Sequence, residues 1–61
     1  MKTIKITHQK REYALSFEKI IRVLNILENK KLYNIKEEEI MQLMKKYNLF
    51  DNIFLENINN I

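Results

Sequence analysis

The chain has no cysteine, no glycine and no proline, and it has a single histidine among its 61 residues. Lack of cysteine excludes disulfides and a thiol nucleophile, and with only His8 to add it argues against a structural zinc site. Lack of glycine leaves no position ready-made for positive φ. A tight two-residue hairpin turn is therefore disfavoured, and there is no glycine-rich loop to place backbone N–H groups around a phosphate. Asparagine is the available substitute, and Asn29, Asn34, Asn48 and Asn52 stand where helices are expected to end or begin. No apolar run approaches the roughly 18 residues of a membrane span. Met1-Lys2-Thr3 leads into alternation and not into the apolar stretch of a signal peptide, so a cytoplasmic location is expected.

Catalysis finds little support. Ser16 reads as a helix cap, and His8 lies in a polar turn beside Lys10 and Arg11, where a surface imidazole is expected and not a base. Glu37, Glu38 and Glu39 are consecutive, so on a helix they project about 100° apart and cannot flank one substrate. A chain this short is also expected to lack a cleft of a few hundred Å³. The chain reads as non-enzymatic, with no cofactor, metal or small-molecule substrate.

What the sequence does contain is a change of rhythm near Ser16. Lys2-Thr3-Ile4-Lys5-Ile6-Thr7 and Tyr13-Ala14-Leu15-Ser16-Phe17 alternate, as a half-buried strand does. Beyond it, Phe17, Ile20, Ile21, Leu24 and Leu27, then Ile40, Leu43, Met44 and Tyr47, recur at helical spacing. The expected fold is α+β, one small domain over residues 1–61. An N-terminal antiparallel β-hairpin (about 2–16, with His8–Arg11 as a four-residue connection) packs on a helical hairpin (about 17–30 and 35–47), followed by a short C-terminal helix (about 51–58). Val23 and Ile26 widen the first helix's apolar stripe, which predicts two neighbours for it. Glu18 and Arg22 form an i,i+4 pair. Asn34 and Glu37 have capping-box spacing for the second helix, whose terminal charges (Glu37–Glu39, then Lys45 and Lys46) suit its dipole.

The tail is ambiguous. Asp51 can cap a short helix with Ile53, Phe54, Ile58 and Ile61 inward, while Asn57, Asn59 and Asn60 predict fraying. Completion of the core by the tail is the expectation. The predicted core is Ile4, Ile6, Tyr13, Leu15, Phe17, Ile20, Ile21, Leu24, Leu27, Ile40, Leu43, Met44, Tyr47, Phe50 and Phe54.

A chain of this size buries only about 60% of its extended surface and gains much from association, with itself or with a target. Two binding classes follow. A protein-binding module is expected first, using the open edges of a two-stranded sheet for strand addition and Tyr33, Phe50 and Phe54 as aromatic anchors. The alternative is a small DNA- or RNA-binding regulator. Residues 1–36 carry nine Lys or Arg against three Glu, whereas residues 37–61 carry two Lys against five acids. Its contacts would be Lys2, Lys5, Lys10 and Arg11 on the hairpin, with Lys30, Lys31 and Lys36 beyond. A dimeric ribbon with Thr3, Lys5 and Thr7 facing bases has the right pattern, but residues 8–16 are too long for a direct passage into a helix. A helix-turn-helix reading fails on Asp51 and Glu56 in the would-be recognition segment. In general character the compact, Lys/Asn/Ile-rich chain resembles the small proteins that phages and mobile elements use to bind and inhibit host machinery. That resemblance implies a protein partner and a regulatory or inhibitory role.

Overall fold

The computed structural model describes residues 2–61. Strands β1 (Thr3–His8) and β2 (Arg11–Ser16) pair antiparallel, from Thr3 opposite Ser16 to His8 opposite Arg11. Three helices follow: α1 (Phe17–Glu28), α2 (Glu37–Lys46) and α3 (Asn52–Asn57), the last running into a 3₁₀ turn over Ile58–Asn60. The architecture is the expected α+β hairpin-on-helices.

The hairpin turn departs from expectation. It is not a four-residue connection but a two-residue loop, with Gln9 at φ 50° and Lys10 at φ 65°. Positive φ at both central residues is the mark of a type I′ turn, whose twist matches that of the strands it joins. Neither side chain favours that region, so the register of the hairpin holds the turn against its local preference. Asn52 helps: its Nδ2 donates to Gln9 Oε1 at 2.8 Å, and its Oδ1 accepts from the Tyr13 hydroxyl at 3.2 Å. Asn52 is thus the first residue of α3 and not a left-handed terminator.

The other asparagines do replace glycine. Asn29 ends α1 at φ 55°, with Lys30 N–H reaching Asn25 O and Asn29 N–H reaching Ile26 O, both at 3.2 Å. Asn48 ends α2 the same way at φ 57°, with Leu49 N–H on Met44 O at 2.8 Å and Asn48 N–H on Lys45 O at 3.2 Å. Both are Schellman closures with Asn in the usual glycine position. At the helix starts, Ser16 Oγ accepts from Lys19 N–H and Asp51 Oδ1 accepts from Ile53 and Phe54 N–H. The second helix differs from its reading. It begins at Glu37, two residues later than expected, with Lys36 at the cap and no side-chain cap bond. Asn34 sits at φ 51° in the connection, which takes its side chain out of capping range, so the three glutamates alone serve that terminus.

The core is Ile4, Ile6, Leu15, Ile20, Leu24, Ile40, Met44, Leu55 and Ile58. Each such side chain, fully buried, contributes about 1.5–3 kcal/mol of transfer free energy. Tyr13, Phe17, Ile21, Leu43, Tyr47, Phe50 and Phe54 pack around it, half-buried. Leu27 is an exception to the expected core, being 40% exposed, and Ile53 and Ile61 face outward and not inward. Ile58 is buried as expected and Leu55 is buried in addition, so the tail does complete the core. Residues 52–61 lie against the sheet, and the radius of gyration of 10.8 Å is close to the roughly 10.5 Å of a compact chain of this length.

Candidate partner-binding surface

In an antiparallel pair, opposed residues alternate between exchanging hydrogen bonds with each other and pointing their backbone groups outward. Phe17 N–H donates to Lys2 O at 3.0 Å, which places the bonded pairs at Ile4–Leu15, Ile6–Tyr13 and His8–Arg11. Thr3, Lys5 and Thr7 on β1, and Glu12, Ala14 and Ser16 on β2, therefore direct their N–H and C=O groups away from the ladder.

The two outer edges are treated differently. On β2, Ser16 N–H donates to Asn59 Oδ1 and Asn59 Nδ2 donates to Ala14 O, each at 2.8 Å. One carboxamide thus satisfies two outward backbone groups at the Ala14–Ser16 end of β2. The tail runs alongside β2: Asn52 reaches Gln9 and Tyr13, Glu56 pairs with Arg11 at 2.5 Å, and Asn59 reaches Ala14 and Ser16. On β1, no hydrogen bond among the described residues engages the outward groups of Thr3, Lys5 or Thr7, and all three residues are exposed. Among the described residues, β2 is covered at its Ala14–Ser16 end, while none of the outward groups of Thr3, Lys5 and Thr7 is engaged.

The hairpin cations are not equivalent. Lys2 Nζ lies over the Phe17 ring, 4.4 Å from its centroid, and Arg11 is held by Glu56. Lys5 has no ion-pair partner among the described residues, and Lys10 stands at the tip of the turn. Lys30, Lys31 and Lys36 belong to the α1–α2 connection, and among the described residues no hydrogen bond or ion pair links them to the hairpin. Of the aromatic anchors, Tyr33 is 73% exposed in that connection with Lys31 Nζ 5.9 Å from its ring centroid. Phe50 and Phe54 pack against the core, Phe50 with its ring 6.3 Å from that of His8. The structure therefore does not gather Tyr33, Phe50 and Phe54 into one exposed cluster. A further apolar side chain outside that set, Ile26, is 78% exposed on α1. Its place in an apolar stripe marked it as helical but not as outward-facing.

A cleft of about 320 Å³ opens between α2, the end of α1 and the connection, contrary to the expectation from length. Leu32, Ile35 and Leu43 line it with Glu28, Lys30, Glu39, Gln42 and Lys46. Its best-defined polar group is Glu28, which accepts from the Tyr47 hydroxyl and from Lys46 Nζ at 3.0 Å. The Tyr47 hydroxyl first, and Lys46 second, hold the Glu28 carboxyl below its ordinary value, while Glu28 raises Tyr47 and Lys46 above theirs. A carboxylate kept ionised and occupied in this way joins two helices and is poorly placed to take a proton from a substrate.

Among the described residues, no helix is long and apolar enough to cross a membrane, and no group of His, Cys, Asp or Glu has a metal-binding arrangement. Comparison of the chain with protein-family models, with curated proteins and with solved structures yields no match.

Proposed function

We propose that this chain is a non-catalytic protein-binding module that regulates or inhibits its partner, and that it binds by adding a strand of the partner to β1. The observation that carries this reading is the inequality of the two sheet edges. Edge strands are a hazard because unpaired N–H and C=O groups template association, and folded proteins commonly cover them. Here Asn59 covers the Ala14–Ser16 end of β2, while among the described residues the outward groups of Thr3, Lys5 and Thr7 on β1 have no partner. Strand addition takes its affinity from such groups.

The nucleic-acid alternative draws its support from Thr3, Lys5 and Thr7 on the exposed face of the hairpin. Against it, Arg11 is already paired with Glu56, and Glu12 stands opposite Thr7 on the same face. A carboxylate there repels the phosphates that the hairpin would have to approach.

The test uses backbone chemistry. Lys5→Pro deletes an N–H that points away from β2, a placement proline tolerates on an edge strand. Proteins captured by the chain from native host lysate should persist after nuclease treatment and be lost with Lys5→Pro, whose circular dichroism should remain that of the parent. Capture that disappears with nuclease would favour the nucleic-acid reading, and capture indifferent to Lys5→Pro would move the site off β1.

A further inference from the structure

The chemistry of the open edge restricts what can occupy it, given the strand-addition reading above. Lys5 stands at its centre, flanked by Thr3 and Thr7, with Lys2 before them and Lys10 beyond; β1 carries no acidic residue. Directly opposed side chains on adjacent strands have Cβ atoms about 4.5–5.5 Å apart, so charges there are felt: opposite signs attract and like signs repel. A second copy is the first occupant to consider. Outward residues pair with outward residues, so a two-fold pairing that uses the whole Thr3–Thr7 edge sets Lys5 against the second copy's Lys5. Shifting the register to avoid that contact leaves Thr3 or Thr7 unpaired on each copy. The chain's net charge of +3 adds to the repulsion. Lysine at the centre of an edge strand is a recognised guard against self-pairing. The same ammonium group attracts a carboxylate.

The other face of the added strand is also specified. Ile4 and Ile6 alternate with the outward residues and are each 2% exposed, on the core side of the sheet. Side chains of an added strand that lie beside them fall on the core side of the sheet, the side on which alternation places apolar residues.

We infer that the β1 edge is built for an extended segment of another protein in which a carboxylate opposite Lys5 alternates with apolar side chains beside Ile4 and Ile6. The partner is a heterologous acidic strand and not a second copy of this chain.

The probe is the blocked peptide Ser-Thr-Val-Glu-Val-Thr-Ser, titrated to millimolar concentration into the ¹⁵N-labelled chain, beside the same peptide with Lys in place of Glu. The Glu peptide should shift the Thr3, Lys5 and Thr7 amides, and the Lys peptide should bind about three- to tenfold more weakly. Lys5→Glu, at an exposed position that leaves the ladder intact, should reverse the order. Equal binding of both peptides at β1 would overturn the charge inference and leave the strand-addition reading standing. Absence of shifts at β1 with either peptide would overturn both. Sedimentation equilibrium of the free chain should give a monomer, and a dimer abolished by Lys5→Pro would make a second copy the occupant and overturn the proposal.

Discussion

Gln9 and Lys10 show how a chain without glycine makes its tightest turn. Both stand at positive φ, where a side chain costs about 1–2 kcal/mol relative to the right-handed region. Asn29, Asn34 and Asn48 reach the same region at lower cost, since a short carboxamide tolerates it. The turn is therefore where substitution has most to gain. Gln9→Asn combined with Lys10→Gly should raise the unfolding free energy by about 1–2 kcal/mol in urea titration, with an unchanged m-value. The positive-φ asparagines were legible from composition, because something had to replace glycine. The turn type was not, because the ladder imposes on Gln9 and Lys10 a conformation that their own chemistry does not favour.

At the level of elements, α1 and α2 meet through Glu28, Tyr47 and Lys46, and this cluster makes stability depend on pH. The Glu28 carboxyl is depressed in the folded chain, above all by the Tyr47 hydroxyl. Its contribution is therefore complete above the unfolded glutamate value and is lost as pH falls through the folded one. Glu28→Gln should flatten the acid limb of the melting temperature between about pH 5 and pH 3. An acid limb identical to that of the parent would assign the loss to other carboxylates. The elements themselves were readable: period two before Ser16 and helical spacing after it correspond to β1, β2, α1 and α2. The start of α2 was not, because Asn34 adopts positive φ instead of capping. The tail departs in detail from its local pattern for a related reason. Asn59 looks like a fraying signal alone, yet it bonds to Ala14 and Ser16 more than forty positions away. A tertiary partner outweighs its weak helix propensity, and no local pattern announces such a partner. For Leu27 and Ile53, stripe membership gives a helix face without saying what covers it, and both are exposed.

For the whole molecule, the proposed function rests on the asymmetry between two edges of one small sheet. The open strand was visible in the sequence as alternation with lysine on the outer face. Which edge would remain open was not, since that follows from the path of residues 52–61 along β2. The same path gives the molecule its stability: Leu55 and Ile58 close the core from the side that Asn59 guards. Stability for a domain of this size is about 3–9 kcal/mol, so the β1 ladder tolerates little damage. Ile6→Pro removes an N–H that bonds Tyr13 and should leave the chain largely unfolded, whereas Lys5→Pro, one residue away, should keep a cooperative urea transition. Equal loss of structure in the two variants would refute the assignment of inward and outward backbone groups.

The most direct measurement is residue-resolved amide hydrogen exchange of the hairpin, free and in the presence of the captured partner. In the free chain the Thr3, Lys5 and Thr7 amides should exchange almost unprotected while the Ser16 amide, held by Asn59, exchanges slowly; the partner should then protect all three. Protection of Thr3, Lys5 and Thr7 in the free chain, or exchange there that the partner leaves unchanged, would contradict the account.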